Sequence, residues 1–218
     1  MLNLLVVILL SYLIGSFPTG IIAGKLLKGI DLRKYGSGNT GATNTFRVLG
    51  WKAGVPVALL DMLKGFIAVA FIARFTPFDA AVYPESVFFI SASLASVLGH
   101  IKPVFAAFRG GRGFGTAVGA ITARVPLVFP FCLAVFFVVL GFTGYVSVCA
   151  AAAAFSLPLV YLLVTRISAT PFEIEIFIFF IFTFLLTLYG VRKKLALYFK
   201  GSAEVFEKAR ILRRKPYR

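Results

Sequence analysis

The sequence has few charged residues and very few acidic ones. Asp and Glu number 8 among 218 residues, and charged residues together make up 14% of the chain. Disorder requires low hydrophobicity and high charge, so this composition excludes a disordered chain. Histidine occurs once and cysteine twice, at Cys132 and Cys149, with no CxxC pair and no His at metal-ligand spacing. We therefore expect two small core cysteines, no metal and no cofactor.

Apolar residues, in contrast, are abundant. They make up 60% of the chain without its 20 Gly, whereas soluble domains reach only ~45–50% with Gly included. Long apolar stretches run roughly over 2–24, 53–73, 86–101, 114–142, 145–165 and 174–190. At about 20 residues per crossing, about seven crossings would use most of the chain and leave no room for a separate soluble domain. The composition predicts an integral membrane protein.

The basic residues predict how the chain crosses the membrane. Lys and Arg number 23, which gives a formal net charge of +15, and they cluster between the apolar runs and in the tail. Loops rich in Lys and Arg stay on the cytoplasmic side, so 25–52, 102–113 and the tail from 191 belong inside, and 74–85 fits outside. The first run has no basic residues before it and no cleavage site, so it is expected to be a retained span with its N-terminus outside.

An outside N-terminus and an inside C-terminus require an odd number of crossings. One apolar run must then be two, and the candidate is 114–142, which Arg124, Val125 and Pro126 interrupt. The alternative is a single kinked span with the tail outside. We expect an all-α integral membrane protein of about seven transmembrane helices.

The expected domain organisation is a single transmembrane helical domain over 1–190, with cytoplasmic motif loops at 25–52 and 100–116. A basic cytoplasmic tail follows over 191–218. The partners expected for this charge are anionic membrane lipids and not nucleic acid, because membrane topology already accounts for where the basic residues lie.

The first inside loop carries a glycine-rich polar string, Gly36 to Asn44, followed by Arg47. Glycines let backbone N–H groups turn toward one point, and Arg47 offers two parallel donors to phosphate oxygens. The string therefore predicts an anion site. An ordinary polar turn is the alternative, with Thr43 or Asn44 capping the next helix.

The second inside loop carries Arg109-Gly110-Gly111-Arg112-Gly113, with His100 before it and Thr116 at the start of the next helix. Two arginines around a Gly-Gly pair, leading into a helix N-terminus, predict a second phosphate-sized site. A topology anchor would explain the arginines but not the glycines. His100 could serve as a base near neutral pH or as a structural hydrogen-bonding group.

Asp61 and Lys64 lie inside the second apolar run at i, i+3 spacing, which places them on one helix face. An ion pair at that depth is costly and indicates either function or a buried structural pair. Ser147 follows the short connection 141–145 and would lie at the inner surface if there are seven crossings.

With these motifs in hand, the chain resembles the bacterial membrane acylphosphate:glycerol-3-phosphate acyltransferases, the PlsY family. The matching strings follow the family's order and spacing from about residue 10 to 150. They are Gly15–Gly20, Gly36–Arg47, Asp61–Gly65, Gly99-His100 with Pro103–Phe105, Arg109–Gly113 with Thr116-Ala117, and Tyr145–Ser147.

The resemblance implies an inner-membrane enzyme with its active site open to the cytoplasm. It would transfer a fatty acyl group from acyl phosphate to the 1-hydroxyl of glycerol 3-phosphate, giving lysophosphatidic acid and phosphate, the first step of phospholipid biosynthesis. Weak association with the enzyme that supplies acyl phosphate is a further expectation. A membrane transporter of a phosphorylated small solute is the alternative from a different functional class.

The resemblance also implies roles for individual residues. The expected catalytic group is Ser37, Arg47, His100, Arg112 and Ser147. The expected substrate-binding and phosphate-binding group is Gly36, Gly38, Asn39, Thr43, Asn44, Arg109, Gly110, Gly111, Gly113, Thr116 and Lys194. The two arginines of the second loop stand where the family has the lysines of a Lys-Gly-Gly-Lys-Gly loop.

The sequence departs from the family near its C-terminus. Val191 and Lys194 stand where the family has a histidine and an asparagine of its glycerol-phosphate site, and Gly144 replaces a basic residue. Lys194 would supply charge in place of the asparagine. An inactive or altered-acceptor paralogue is therefore a further alternative.

Overall fold

The computed structural model describes residues 1–78 and 83–201, and these residues form helices and connecting loops without a strand. The helices are α1 (Leu2–Gly15), α2 (Thr19–Lys28), α3 (Ala42–Leu49), α4 (Trp51–Ala70), α5 (Glu85–Ile101), α6 (Phe114–Arg124), α7 (Val128–Thr143), α8 (Val146–Ile167) and α9 (Ile174–Phe199). Short 3₁₀ turns cover Leu32–Lys34, Ile72–Arg74 and Val104–Ala106. The all-helical fold predicted from the sequence is confirmed.

Several helical segments are long and apolar enough to cross a membrane. Within the described residues there are five: Leu2–Lys28, Trp51–Arg74, Glu85–Ala106, Val146–Ile167 and Ile174–Phe199. A shorter apolar helix covers Val128–Thr143. Segments of this length and composition make the chain a multi-pass membrane protein, as expected. The count of about seven crossings and the orientation of the two termini stay predictions.

The long apolar run 114–142 is divided where the sequence predicts a break. Helix α6 ends at Arg124 and α7 begins at Val128. Val125 leaves the helical conformation, with φ −131° and ψ 75°, because the ring of Pro126 disfavours helical geometry in the residue before it. The first apolar run is also divided, since α1 ends at Gly15 and α2 begins at Thr19, directly after Pro18.

Contacts along the chain form two compact units, 1–126 and 127 onward. In the first unit α1 packs on α5, and α4 packs on α6. Glycines allow these helices to approach at backbone distance: a Cβ at Gly65 would overlap the carbonyl oxygen of Thr116, and a Cβ at Gly119 would overlap that of Met62. Because 65 contacts 116 while 62 contacts 119, α4 and α6 run antiparallel, which brings the start of α6 beside the middle of α4.

The second unit consists of α7, α8 and α9 and is held by aromatic packing. Tyr161 and Phe180 are buried, with ring centroids 5.2 Å apart in an edge-to-face arrangement. Cys132 and Cys149 are both buried, as predicted. Helix α9 extends to Phe199 and so continues past the apolar run that ends at 190. The division into a 1–190 domain and a 191–218 tail stays a prediction, and 202–218 lie outside the described residues.

Candidate functional site

The first glycine-rich loop is closed around the side chain of Asn44. Its Nδ2 donates to the carbonyl oxygens of Tyr35 at 3.0 Å, Asn39 at 2.8 Å and, more weakly, Leu32 at 3.4 Å. Its Oδ1 accepts from the backbone N–H of Ser37 at 2.8 Å. The amide of Asn44 is therefore engaged with the loop backbone, and it fixes the conformation that presents the neighbouring residues.

Two glycines of this loop adopt conformations that other residues rarely reach. Gly36 and Gly38 have φ of 60° and 71°, in the left-handed region that favours glycine. Gly36 also lies so close to Asn44 that a Cβ would overlap Oδ1. The glycines let the chain wrap around the Asn44 amide.

The alternative prediction, in which the side chain of Thr43 or Asn44 caps the next helix, is wrong. Helix α3 begins at Ala42, its N-cap is Gly41, and no side chain caps it. The N–H of Gly41 instead donates to Asn39 Oδ1 at 2.7 Å, which makes a tight Asx turn before the helix. Of the remaining predicted residues, Ser37, Thr43 and Arg47 have exposed side chains.

Arg33 connects the first loop to the second. Its guanidinium donates to both carboxylate oxygens of Asp31, with a shortest contact of 2.7 Å, and its Nη1 donates to the carbonyl oxygen of Ala106 at 3.0 Å. The hydrogen bonds from Arg33 lower the pKa of Asp31 to about 2, so the carboxylate stays charged at neutral pH. Both loops are thereby tied by a single planar side chain.

The second loop docks on the C-terminal end of α5. The N–H of Gly110 donates to the carbonyl oxygen of Ile101 at 3.2 Å, and the N–H of Gly111 donates to that of His100 at 3.0 Å. Just before this contact, Ala107 and Phe108 have φ of 52° and 59°, an uncommon pair of left-handed conformations for non-glycine residues. The chain turns sharply there and then runs along the helix end.

The two arginines of this loop differ in environment. Arg109 is exposed, whereas Arg112 is half-buried, and burial lowers the pKa of Arg112 from its usual value. Within 1–78 and 83–201 the Arg112 guanidinium has no hydrogen-bond or ion-pair partner. Gly113 follows with φ of 80° and forms the N-cap of α6. A partly desolvated and unpaired guanidinium beside a helix N-terminus is suited to bind an anion.

Beneath the loops lies a buried ionic network centred on Asp61. Its Oδ1 accepts from Lys64 Nζ at 2.7 Å and from Thr19 Oγ1 at 2.6 Å, and it lies 3.5 Å from His100 Nδ1. The side chains of Asp61 and Lys64 are 4% and 6% exposed. The ion pair expected from the sequence is therefore present, and it is connected to a helix start and to the end of α5.

A narrow cleft with room for about one water molecule, about 10 Å³, lies beside this network. Its lining includes Thr19, Thr40, Lys64, His100 and Pro103. Thr40 reaches it because Gly20 lets α2 lie against the first loop, where a Cβ would overlap the carbonyl oxygen of Thr40. The cleft thus brings residues of the first glycine loop next to the helix end that carries the second.

Three predicted residues lie elsewhere. Thr116 is fully buried in the first turn of α6, and its hydroxyl has no partner among the described residues. Ser147 and Lys194 belong to the second unit, where Ser147 is half-buried in the first turn of α8 and Lys194 is half-buried near the end of α9. Their roles stay predictions.

The sequence reasoning did not select Thr19, Thr40 or Lys64 as site residues. Thr40 lies in the first glycine-rich loop among other uncharged hydrogen-bonding residues, so no local pattern distinguished it from them. For Thr19 the available signal was its position directly after Pro18, because a residue at a helix start has backbone and side-chain groups that no helical turn satisfies. For Lys64 the available signal was its positive charge within an apolar helix, which indicates a functional or paired residue.

This arrangement supports anion binding more directly than metal chemistry. Within the described residues no three His, Cys, Asp or Glu side chains come together to hold a metal ion. What the first unit does offer is a set of arginines on two shaped loops, hydroxyl groups and one imidazole beside a cleft. Such groups can hold phosphate oxygens and align a hydroxyl with an electrophile.

Comparison with known proteins gives consistent matches. The sequence model of a family described as glycerol-3-phosphate acyltransferase matches residues 5–201. Among curated proteins, the glycerol-3-phosphate acyltransferase of Chlorobium limicola is 46% identical over 164 residues, which is 73% of this chain and 70% of that protein. The same enzyme of Chlorobium phaeobacteroides is 44% identical with the same coverage.

Two solved structures are also similar to this chain. Both are crystal structures of PlsY (YgiH), an integral membrane glycerol 3-phosphate acyltransferase. The glycerol 3-phosphate form superposes with a TM-score of 0.78 at 35% identity, covering 93% of this chain and 95% of that one. The lysophosphatidic acid form gives 0.77 at 33% identity, covering 94% and 97%.

Proposed function

The chain belongs to the glycerol-3-phosphate acyltransferase family, and on that premise we propose that it transfers a fatty acyl group from acyl phosphate to the 1-hydroxyl of glycerol 3-phosphate. The products are lysophosphatidic acid and inorganic phosphate. The observation that carries this proposal is the family match over residues 5–201, which includes both glycine loops and the helix that follows each.

The proposed reaction fits a site without a protein nucleophile. Acyl phosphate is a mixed anhydride: the acceptor oxygen forms a new ester bond to the carbonyl carbon, the bond from that carbon to the bridging oxygen breaks, and phosphate leaves with the electron pair. The hydroxyl proton ends on a phosphate oxygen or on His100. Because the leaving group is already good, alignment and charge stabilisation supply most of the catalysis.

The arginines of the two loops have the chemistry that this reaction needs. Arg112, half-buried and unpaired among the described residues, is proposed to meet the phosphate whose charge grows as the bond breaks. Arg47 and Ser37 are proposed to contact a phosphate from the first loop. Ser147 is proposed as a further catalytic residue and Lys194 as a further binding residue.

Turnover of purified protein tests the reaction. In detergent, the protein with acyl phosphate and glycerol 3-phosphate should release phosphate and form lysophosphatidic acid in equal amounts. A parallel reaction with acyl-coenzyme A tests whether the donor must be acyl phosphate. A parallel reaction with glycerol tests whether the acceptor must carry a phosphate. Absence of phosphate release with every polyol phosphate offered would contradict the proposal, and uptake of glycerol 3-phosphate into liposomes without an acyl donor would favour the transporter.

An altered acceptor is the second candidate, and one observation favours it. Val191 is 2% exposed on α9, and its isopropyl group cannot form hydrogen bonds, unlike the histidine that the family resemblance implies at this position. The double replacement Val191→His with Lys194→Asn restores the family pattern. A lower KM for glycerol 3-phosphate would show that these positions weaken its binding here, whereas an unchanged KM would count against an altered acceptor site.

The crossing pattern is a further part of the proposal. We infer seven crossings with the N-terminus outside, the C-terminus and both glycine loops cytoplasmic, and the protein in the bacterial inner membrane. The division of 114–142 into α6 and α7 supports an odd count. In a cysteine-free background, an impermeant maleimide should label Thr76→Cys from the outside of intact cells and Lys52→Cys only after lysis. The reverse result would contradict this orientation.

A further inference from the structure

The carboxylate of Asp61 gathers groups from three helices at a single oxygen. Thr19 at the start of α2, Lys64 on α4 and His100 near the end of α5 all approach Oδ1, at 2.6, 2.7 and 3.5 Å. Lys64 alone would balance the charge of Asp61. The approach of His100 is therefore an additional feature, which charge neutrality does not require.

The contact between His100 and Asp61 has a consequence for the imidazole. At 3.5 Å this contact is longer than an ordinary N–H···O hydrogen bond and acts mainly through charge. Because a carboxylate can only accept, it favours the tautomer with the proton on Nδ1, the nitrogen that faces Asp61. In neutral histidine the other nitrogen, Nε2, is then an acceptor. Nε2 lies directly under Gly111, where a Cβ would overlap it.

The second loop rests on this imidazole. Gly111 contacts the ring, and its N–H donates to the carbonyl oxygen of His100 at 3.0 Å. Gly110 is equally close to the same helix end, since a Cβ there would overlap that carbonyl oxygen. Arg112 is the next residue along the chain, so a rotated ring would displace the backbone that carries its guanidinium.

We propose that Asp61 is a positioning residue for the second glycine loop: it holds the ring of His100 in one orientation with the proton on Nδ1, and the ring in turn sets where Arg112 lies. Lys64 neutralises the negative charge of Asp61, which would be costly to bury alone within an apolar helix. The inference deepens the proposed function and rests on it for its catalytic consequence, but the state of His100 is independent of turnover.

The tautomer of His100 is directly measurable because the chain has a single histidine. With ¹⁵N-labelled histidine and any affinity tag removed, the imidazole signals in detergent micelles report this ring alone. We expect the Nδ1–H form in the wild-type protein and loss of that preference in the paired variant Asp61→Asn with Lys64→Met. A wild-type ring protonated on Nε2 alone would overturn the proposal.

The kinetics of the paired variant distinguish a positioning role of Asp61 from a contribution to the overall stability of the protein. Removing both charges avoids leaving Lys64 unpaired, and kcat/KM should fall about 100-fold, as expected for a misplacement of about 1 Å. Glu85→Gln is the matched control, because Glu85 pairs with Arg124 at an exposed position, and it should retain wild-type turnover.

Two outcomes would count against a positioning role. A paired variant with lower thermal stability but wild-type kcat/KM per folded molecule would make Asp61 purely structural. If the paired variant does not fold, the wild-type tautomer still decides, since it needs no substitution. Wild-type protein that shows the Nδ1–H form without any turnover would sink the proposed function and leave the arrangement of Asp61 and His100 standing.

Discussion

Both compact units bury apolar side chains, but they differ in the polar side chains that they bury. The first buries ionised and amide side chains, among them Asn44, Asp61 and Lys64, and each of these makes hydrogen bonds to other segments of the chain. The second buries aromatic rings, and the hydroxyls of Thr183 and Thr187 donate to carbonyl oxygens of their own helix at 2.9 and 2.8 Å.

This difference separates positions that need a specific partner from positions that need only volume. In the first unit a polar side chain or a glycine is matched to one particular neighbour, so a substitution leaves a charge unpaired or makes two backbones collide. In the second unit most contacts are between apolar side chains, which can repack around a change of shape. Substitutions that compare the two units should therefore have unequal effects.

The largest expected effect is on the stability of the first unit. Asp61→Ala leaves Lys64 buried without its partner, which should cost about 3–5 kcal/mol of unfolding free energy. Unfolding in mixed micelles measures it. The second substitution Lys64→Met should recover most of the loss. Glu85→Ala, which breaks an exposed pair at 3.5 Å, should cost about 0–1 kcal/mol. Glu85 and Arg124 also lie in the first unit, so equal losses for Asp61→Ala and Glu85→Ala would show that burial adds nothing to the contribution of the Asp61 pair.

The next effect is on turnover. Arg112→Ala should lower kcat by about 100- to 1,000-fold, or roughly 2.7–4 kcal/mol, by analogy with the loss of one donor to a developing anion. Steady-state phosphate release measures it. Arg166→Ala removes an exposed cation from the last turn of α8 in the second unit and should leave turnover unchanged. A small effect of Arg112→Ala would mean that this arginine only anchors topology.

A smaller effect is expected at the contact between α4 and α6. Gly119→Ala places a methyl group on the carbonyl oxygen of Met62, and the overpacking should cost about 1–3 kcal/mol. In the second unit, Ala196→Leu enlarges an exposed position of α9 and should change stability by about 0.5 kcal/mol or less. Thermal unfolding of both variants measures the two changes in stability. No loss of stability in Gly119→Ala would contradict the prediction.

Among the buried positions, the smallest effect is expected in the aromatic core of the second unit. Phe180→Leu keeps an apolar side chain of similar size at a fully buried position, so it should cost about 1 kcal/mol. The lost edge-to-face contact with Tyr161 is part of that cost. Unfolding in micelles checks it. A loss larger than that of Gly119→Ala would show that the second unit is as specifically packed as the first.

Sequence reasoning located the features that local chemistry determines. Arg124 and Pro126 correctly predicted the break in the fourth apolar run. The clustered glycines at 36–41 and 110–113 correctly predicted the two loops. The depth of the ion pair followed from i, i+3 spacing within an apolar run. Each of these signals lies within a few neighbouring residues.

Features that depend on distant segments were not accessible in the same way. Asn44 was expected to bind substrate or cap a helix, but the structure engages its amide with the loop that precedes it. The contact between His100 and Asp61 joins residues 39 positions apart, and no local pattern indicates it. The role of Thr19 depends on α2 lying against α4, which is a result of packing.

The bridge from Arg33 to the carbonyl oxygen of Ala106 has a thermodynamic consequence. The hydrogen bond couples the two loops, so a ligand that moves one loop must stretch or break this contact with the other. Such linkage is reciprocal: whatever factor one substrate applies to the affinity of its co-substrate, the co-substrate returns. If each loop holds one of the two substrates, as proposed, the apparent dissociation constant of one substrate would vary with the concentration of the other, and removing the bridge at Arg33 would weaken that dependence.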